Sequence, residues 1–425
     1  MKRIAIIDGV RTPFAKAFSV FNLVGAKDLG GIAARELIER LNFDTSLIDE
    51  VVIGTVTTSG DAPNIARVVS LLAGLPESGR AVTVSRNCAS GMEALTTAFE
   101  KINAGTHEVI LAGGTESMSN VPLTYRKDVQ NIFMGMGRMK PHQRIAAMFK
   151  ILPLLYKPVI GLQQGLTDPV CGLNMGQTAE MIAKDFGISR LDQDQFALES
   201  HLRVENSRDV LREEIVAVHP GPKYKKSIDF DNGVREGQNM EALAKLKPYF
   251  EKRTGTVTAG NSSQLTDGAA MLLAMSEDKA KALGLKPLGF LKNFAYAGLD
   301  PKRMGLGPAF AIPQALDRAG MSMKDIELFE INEAFAAQVI GCERALESKE
   351  FCAKFLGKSA AVGSWSRDKL NVNGGAIALG HPVGATGARL ILTLLKEMAR
   401  RGLQTGIASL CIGGGQGGAV ILERS

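Results

Sequence analysis

Three residues of this chain have surroundings that suit covalent chemistry, and Cys88 is the first. It follows a strand-like run at 80–84 and opens a helical pattern with apolar residues at Met92, Leu95, Phe99 and Ile102. A residue at a helix start faces unpaired backbone N–H groups and the positive end of the helix dipole. Both favour the thiolate, which is the nucleophilic form of cysteine. The pattern predicts a nucleophile at Cys88, and the alternative is a cysteine that only packs in the core.

His381 and Cys411 stand in glycine-rich segments. His381 precedes a helical pattern from about Gly384 to Arg401, and Cys411 ends a strand-like run before the glycines at 413–415. If these loops meet at the same ends of the strands, both side chains converge on Cys88. A thiolate, an imidazole and a second thiol without a metal motif indicate covalent acyl chemistry with proton transfer.

A dinucleotide-binding loop is the competing interpretation of the glycines at 411–418. That fingerprint needs a helix N-terminus after the glycines, because the helix start holds the pyrophosphate. The segment is instead followed by a strand-like run at 419–423. The sequence therefore argues against a dinucleotide cofactor.

The elements that must hold these residues alternate between strands and helices. Strand-like runs at 4–8, 49–56, 80–84 and 108–114 are separated by helical patterns, the clearest from Ala26 to Leu41. Such alternation predicts a largely parallel sheet covered by helices on both faces.

The second half of the chain repeats this order of elements. The runs 325–332 and 406–411 resemble 49–56 and 108–114 as strands, and a long helix follows His381 as one follows Cys88. The repetition predicts an internal duplication, with two βα halves that face each other.

A polar insertion at about 119–253 separates the halves, and it contains no acidic residue between Asp128 and Asp168. Its basic residues in that stretch include Arg138, Lys140, Arg144, Lys150 and Lys157. Its apolar residues at helical spacing are Ile145, Met148, Phe149 and Leu152. We expect Pro153 to interrupt this helix. Two interpretations stay open: the segment 138–157 contacts a membrane surface or a partner, or the helix packs on its own domain.

Composition sets the class of protein. At 425 residues, 45% of them apolar, the chain fits two or three folded domains. No apolar run reaches the roughly 20 residues that span a bilayer. Because residues 1–3 lead directly into a strand, we expect a cytoplasmic protein without a leader, unless a targeting segment is missing from the sequence. A net charge of +6 suits an anionic ligand, but no basic cluster interleaved with aromatic residues indicates nucleic acid.

The five cysteines are too scattered for a disulfide framework in so long a chain. Cys342 and Cys352 lack the spacing of metal ligands, and no histidine stands near them. The sequence therefore predicts no metal site.

Eight motifs in a fixed order make this sequence resemble the thiolases over nearly its whole length. They are Arg11 to Phe14, Asn87 to Gly91, Ala112 to Ser119, Gly176 to Glu180, Gly255 to Ser263, Asn332 to Ala336, Asn373 to Pro382, and Cys411 to Gly415. Each motif is weak alone, whereas the ordered series is specific. The resemblance implies an α/β fold with a five-layer αβαβα core of two duplicated halves. The N-terminal half would span 1–276, with an inserted loop domain at about 119–253, and the C-terminal half 277–425.

The resemblance also implies catalytic roles. Cys88 would take the acyl group, and His381 would accept its proton and help to hold the thioester oxygen. Cys411 would move a proton to and from the α-carbon of the acetyl unit. Asn332 would orient a water that forms one oxyanion hole with His381, and the N–H groups of Cys88 and Gly413 would form the other. Each donor would lower the barrier by about 3 kcal/mol, by analogy with other acyl-transfer enzymes.

In the substrate sites that the resemblance implies, Ser263 would contact the pantetheine arm of coenzyme A and Arg235 its phosphates. Met175 and Phe335 would line the acyl pocket. Coenzyme A and acyl-CoA are substrates, so the resemblance implies no cofactor.

Within the family, the insertion and Leu306-Gly307-Pro308 look like the β-subunit of fatty-acid oxidation multienzyme complexes. This implies a hydratase/dehydrogenase α-subunit as partner, and homodimers or tetramers. Those subunits often have His at the position of Asn332, and short-chain biosynthetic members usually have His at that of Asn174. We expect thiolytic cleavage of longer 3-ketoacyl-CoA in β-oxidation. The alternatives are biosynthesis of acetoacetyl-CoA and a scaffold that mainly docks a partner, against which the retained catalytic residues argue.

Overall fold

The structure, a computed structural model, describes residues 2–424; Met1 and Ser425, the outer ends of the two predicted halves, lie outside the described residues. The strands are β1 (Ile4–Arg11), β2 (Ala15–Lys16), β3 (Glu50–Gly54), β4 (Arg80–Val84), β5 (Val109–Ser117), β6 (Leu123–Thr124), β7 (Val159–Ile160), β8 (Thr266–Ser276), β9 (Gly289–Gly298), β10 (Leu328–Ile331), β11 (Thr405–Ile412) and β12 (Gln416–Glu423).

The α-helices are α1 (Ala26–Leu41), α2 (Ile65–Leu72), α3 (Ser90–Asn103), α4 (Lys127–Met136), α5 (Pro141–Leu155), α6 (Gly161–Gly165), α7 (Met175–Asp185), α8 (Arg190–Asn206), α9 (Arg208–Arg212), α10 (Met240–Ala244), α11 (Glu277–Ala282), α12 (Gly307–Ala319), α13 (Ala336–Glu347), α14 (Lys349–Leu356), α15 (Ala376–Leu379) and α16 (Val383–Arg401).

The main sheet has the strand order β10-β11-β12-β9-β1-β8-β5-β3-β4, with β2 beside β8. In the N-terminal half β4, β3 and β5 are parallel, whereas β8 is antiparallel to both β5 and β1. In the C-terminal half β10 and β11 are parallel, whereas β12 is antiparallel to both β11 and β9. The sheet is therefore mixed, and the prediction of a largely parallel sheet is wrong for β8 and β12.

The two halves share one strand order. The order β4-β3-β5-β8-β1 corresponds to Leu370-β10-β11-β12-β9, because Leu370 forms a parallel bridge with Phe329 of β10. The helices α3 and α16 precede β5 and β11 at corresponding places. The topology thus confirms the predicted duplication.

Helices divide the molecule into layers. The helices α3 and α16 pack together between the half-sheets, and residues such as Met92 and Leu390 share one central core with strands of both halves. On the outer faces, α1 and α2 pack through residues such as Leu29, and α12 and α13 through residues such as Ile312. This is the predicted αβαβα arrangement. Because helices cover both faces, β3 and β5 are buried along their whole length, which explains their largely apolar sequences.

Glycines bring the two middle helices close to each other. A Cβ at Gly387 would lie 2.4 Å from the backbone N of Met92, and one at Gly91 would lie 2.8 Å from the O of Gly384. Contacts this short exclude a side chain. The glycines at 384–387 therefore serve helix packing, and not only a ligand-binding loop.

The inserted segment contains α4 to α10 and the small β6-β7 sheet. Pro153 lies inside α5, which continues to Leu155, so the prediction that this proline interrupts the helix is wrong. The proline sits in the last turn, where its missing N–H costs one hydrogen bond. On α5, Met148 and Phe149 are 60% and 73% exposed, whereas Ala147 and Ile151 are buried. The apolar stripe of α5 thus faces outward. No helix within residues 2–424 has the length and apolarity needed to cross a membrane.

Candidate active site

Cys88 lies in the loop between β4 and α3, two residues before the helix begins. Asn87 has a left-handed φ of 46°, and its Nδ2 donates to the O of Gly413 at 2.8 Å. The Oγ of Ser90 donates to the O of Asn87 at 2.7 Å and accepts from the N of Arg86 at 2.9 Å. These bonds close the turn and tie it to the C-terminal half. Cys88 is half-buried there.

Burial raises the pKa of the Cys88 thiol above its ordinary value. The backbone N–H groups of Gly413 and of Cys88 itself lower this pKa, and the charge of Glu116 raises it further. The cost of burying a thiolate thus outweighs the N–H groups beside it. The helix start therefore does not lower the pKa of Cys88 below its ordinary value, and the thiol needs a base to become a nucleophile.

His381 is buried two residues before α16. Its Nδ1 lies 2.7 Å from the Oγ1 of Thr386, which donates to the O of Pro382 at 3.1 Å. Its Nε2 lies 3.4 Å from the Nδ2 of Asn332. Because the Thr386 proton goes to Pro382 and Nδ2 is a donor, we assign the imidazole proton to Nδ1. Burial, helped by the charge of Arg389, lowers the pKa of His381 to about 3, so the ring is neutral and Nε2 carries no proton.

Cys411 lies near the end of β11, and Asn332 directly follows the neighbouring strand β10. Cys411 is 1% exposed, and burial, with the thiols of Cys88 and Cys342 nearby, raises its pKa well above the ordinary value. Asn332 is fully buried, and its backbone N donates to the O of Ser409 at 2.9 Å. Within residues 2–424 the Oδ1 of Asn332 has no hydrogen-bond partner. A buried oxygen of this kind is available to a bound group.

Two cavities meet at Cys88. The first, of about 430 Å³, is lined by seven of the predicted site residues: Cys88, His381, Cys411, Ser263, Arg235, Met175 and Phe335. The second, of about 410 Å³, lies between Cys88 and the inserted segment. Its apolar lining includes Val56, Val121, Leu162, Leu166 and Met175.

The predicted residues are distributed unevenly between these cavities. Gly413 borders the second cavity only, and Met175 borders both. Asn332 reaches the first cavity through its contact with His381. Phe335 lines the first cavity together with Ser263 and does not line the second. The structure thus brings the nine predicted residues to one place around Cys88.

Sequence reasoning assigned no role to Glu116, which is fully buried at the end of β5. Its carboxylate accepts hydrogen bonds from the backbone N of Val56 at 2.8 Å and of Thr57 at 3.2 Å. The backbone N–H of Gly384 also contributes, and burial raises the pKa of Glu116 to about 7. Glu116 thus ties the wall of the second cavity to the start of α16. Its place in the motif 112–119 was the available signal.

The position of Thr386 was missed as well, although it stands in the glycine-rich segment 384–387. Its hydroxyl holds His381 in one orientation, which sequence spacing alone does not reveal.

Within residues 2–424, no group of three His, Cys, Asp or Glu side chains is placed to hold a metal ion. The arrangement offers a thiol, a neutral imidazole, a second thiol and paired N–H groups, which together can transfer an acyl group.

Comparison with known proteins gives one family. Residues 4–278 match the model described as "Thiolase, N-terminal domain", and residues 285–424 match "Thiolase, C-terminal domain". A 3-ketoacyl-CoA thiolase of Pseudoalteromonas translucida is 43% identical, over 100% of this chain and 97% of the relative. One of Shewanella denitrificans is 42% identical, over 99% and 97%.

Solved structures agree with these relatives. Human mitochondrial 3-ketoacyl-CoA thiolase in complex with CoA has a TM-score of 0.86 and 35% identity, over 100% of this chain and 98% of that chain. Acetyl-CoA acetyltransferase from Syntrophomonas wolfei has a TM-score of 0.87 and 36% identity, over 100% of both chains. This chain therefore belongs to the thiolase family.

Proposed function

We propose that this chain cleaves 3-ketoacyl-CoA with coenzyme A, in fatty-acid β-oxidation, to give acetyl-CoA and a shortened acyl-CoA. The observation that carries the proposal is the junction of two different cavities at Cys88. The cavity with Ser263 and Arg235 suits the pantetheine arm, and the apolar cavity under the insertion suits an acyl chain. Relatives named 3-ketoacyl-CoA thiolase over the full chain support it.

In the first half-reaction, Nε2 of His381 takes the thiol proton as Sγ of Cys88 attacks the C3 carbonyl of the substrate. The C2–C3 bond then breaks, and its electron pair leaves with the acetyl-CoA carbon, to which Cys411 gives its proton. The acyl group remains on Cys88 as a thioester. Its oxygen would be held by the N–H groups of Cys88 and Gly413, while His381 and a water on Asn332 would hold that of acetyl-CoA.

In the second half-reaction, the Cys411 thiolate takes the proton of coenzyme A. The coenzyme A sulfur attacks the acyl carbon, and Cys88 leaves and recovers its proton from His381. Both thiols and the neutral imidazole are thereby restored. Coenzyme A acts as a substrate throughout, and no cofactor or metal enters these steps.

Steady-state assays with 3-ketoacyl-CoA substrates of increasing chain length, from four to sixteen carbons, test the proposal. We expect turnover of the longer chains. If only acetoacetyl-CoA is cleaved, the alternative takes its place, a biosynthetic acetyl-CoA C-acetyltransferase. The similarity to solved structures of acetyl-CoA acetyltransferases is the reason for considering this alternative. The rate at which the protein condenses two acetyl-CoA molecules tests it.

We further propose that α5 docks on an anionic membrane surface, in addition to catalysis. Its exposed apolar residues are flanked by lysines and arginines, with no acidic residue between Asp128 and Asp168. Flotation with phosphatidylglycerol vesicles tests this: the double variant M148E/F149E should lose binding and keep its activity on acetoacetyl-CoA. Phe355→Glu, at another exposed apolar position, is the control. If only a hydratase/dehydrogenase α-subunit loses affinity for the double variant, the segment docks that partner instead.

We also propose a homodimer or a dimer of dimers in the cytoplasm. The strand β4 has β3 as its one strand neighbour in the main sheet of residues 2–424, and four of its five side chains are half-buried. An open strand edge of this kind can pair with a second copy. Sedimentation velocity that finds only monomers at micromolar concentration would contradict this assembly.

A further inference from the structure

Arg235 lines the first cavity, Lys16 lies close enough to feel its charge, and neither cation has a carboxylate partner within residues 2–424. Within residues 2–424 neither Lys16 nor Arg235 forms an ion pair, and the acidic residues near Arg235 in the chain are engaged elsewhere. Asp231 binds Arg11 at 2.6 Å, and Glu236 binds Arg208 at 2.6 Å. Both cations are only half-buried, so a ligand can reach them.

The backbone fixes Lys16 beside the cavity wall. Lys16 pairs with Thr266 where β2 meets β8, and the N of Ala17 donates to the O of Leu265 at 2.8 Å. The N of Lys16 donates to the Oδ1 of Asn232 at 2.7 Å. Leu265 lines the first cavity, so the backbone of Lys16 lies next to the cavity wall.

Hydrogen bonds also fix the backbone around Arg235. Its backbone N donates to Nδ1 of His201 at 3.2 Å, and Nε2 of Gln264 donates to the O of Gly233 at 2.8 Å. Burial, then the charges of Arg235 and Lys16, lower the pKa of His201 to about 4, so this histidine is neutral. Burial and the charge of Arg235 also lower the pKa of Lys16. The positive charges of Lys16 and Arg235 therefore repel each other beside the first cavity, and an anion between them would relieve the repulsion.

We propose that Lys16 and Arg235 together form a phosphate site for the nucleotide end of coenzyme A, in which Lys16 selects coenzyme A over carriers that lack phosphate. The inference rests on the proposed function, because it concerns the same substrate. Sequence resemblance pointed to Arg235 for the phosphates and gave no role to Lys16. A lysine acts on phosphate as a point charge, so its contribution depends on ionic strength.

Paired substrates test the inference. We expect Lys16→Met to raise KM for acetoacetyl-CoA about five- to tenfold at low salt, with unchanged kcat, and to leave KM for acetoacetyl-pantetheine unchanged. Lys16→Arg should restore the wild-type KM. Lys286→Met, an exposed lysine on the far side of β1, is the matched control. An equal rise for both substrates, or no rise for acetoacetyl-CoA, overturns the proposal.

Calorimetric titration with coenzyme A, dephospho-coenzyme A and pantetheine reads the same discrimination without turnover. We expect Lys16→Met to weaken coenzyme A binding about five- to tenfold and pantetheine binding not at all. Equal affinities of wild type and variant for coenzyme A overturn the phosphate site. If Lys16→Met weakens only coenzyme A binding but the wild type cleaves no 3-ketoacyl-CoA, the phosphate site is supported and the proposed reaction is contradicted. Dephospho-coenzyme A lacks the 3′-phosphate but keeps the pyrophosphate. If Lys16→Met also weakens its binding, Lys16 contacts the pyrophosphate; if not, Lys16 contacts the 3′-phosphate.

Discussion

The N-terminal and C-terminal halves place their reactive residues at corresponding positions but use different chemistry. Cys88 precedes α3 by two residues, and His381 precedes α16 by two residues. Gly54 pairs with Gly114 and Ile331 with Ser409, so two residues further on Glu116 corresponds to Cys411. The duplication thus gives two pairs of corresponding positions, Cys88 with His381 and Glu116 with Cys411. All four are buried or half-buried, and the two halves have different side chains there.

Burial acts in opposite ways on these residues. It raises the pKa of the thiol of Cys88, which keeps its proton, and lowers the pKa of His381 to about 3, which stays without one. Both shifts have the same cause, since a low-dielectric core disfavours the charged form of either group. One core can thus keep a thiol protonated and an imidazole unprotonated without an ion pair between them.

The largest effect should come from the N-terminal half. Cys88→Ala should lower thiolysis by about 10⁴-fold or more, because no other group can carry the acyl unit. Intact-protein mass spectrometry after brief exposure to a long-chain acyl-CoA should show an adduct on the wild type only. Cys342→Ala, a buried thiol outside both cavities, is the control. An adduct that persists on Cys88→Ala would show that another residue is the carrier.

The corresponding residue of the C-terminal half should have the next largest effect. His381→Ala removes the base for a thiol of raised pKa, and kcat should fall about 10³-fold. Because the wild-type imidazole is neutral down to about pH 3, protonation of His381 should not limit its rate near pH 6. Stopped-flow measurement of adduct formation against pH checks both statements. A rate that falls with a midpoint near pH 6.5 would mean that His381 titrates as it does in water.

Asn332→Ala should reduce kcat about 10²-fold, because it removes the amide that contacts His381 and the free Oδ1 beside it. Asn332→Asp keeps the shape but adds a negative charge near the imidazole, so it should raise the pKa of His381. The kcat of both variants at several pH values measures this. Equal activity of wild type and Asn332→Ala would show that Asn332 has no role in the reaction.

The smallest effect should come from Glu116, the counterpart of Cys411. Its charge raises the pKa of Cys88, so Glu116→Gln should lower that pKa and speed alkylation of Cys88 by iodoacetamide about threefold at pH 8. Below pH 7 the two proteins should converge, because Glu116 itself has a pKa of about 7. Glu251→Gln, on an exposed ion pair, should change nothing. Parallel alkylation curves at all pH values would contradict the assigned charge effect.

The raised pKa of Glu116 should also make the free energy of unfolding depend on pH. Burial raises its pKa, so the folded state holds a proton that the unfolded state loses above about pH 4.5. Wild type should therefore lose stability as pH rises from 4.5 through 7, and Glu116→Gln should lose less. Urea unfolding at pH 5 and pH 8 makes this comparison.

Much of the fold could be predicted from patterns among residues that are close in the sequence. Helical spacing at Ala26–Leu41 and the strand-like runs before Cys88 and Cys411 depend on neighbours in the chain, and the element order was enough to predict the duplication. The antiparallel pairing of β8 and β12 could not be predicted, because partners such as Ala112 and Leu272 are distant in sequence. The outward apolar face of α5 likewise depends on what lies opposite it.

The candidate site divides in the same way. Motifs identified the residues around Cys88, but its protonation state depends on burial by segments far along the chain. The hold of Thr386 on His381 requires the ring orientation, and the meeting of Lys16 with Arg235 requires β2 beside β8. Such properties arise from tertiary structure and have no local pattern.

The pairing of β1 with both β8 and β9 has a consequence for biosynthesis. The strand Ile4–Arg11 is made early, yet its partner β8 ends at Ser276 and β9 follows. At about 5–20 residues per second, the nascent strand waits on the order of tens of seconds with unpaired edges and an apolar surface. Contacts so distant in sequence also slow folding. Production of this chain should therefore depend on chaperones that shield its first strand on the ribosome.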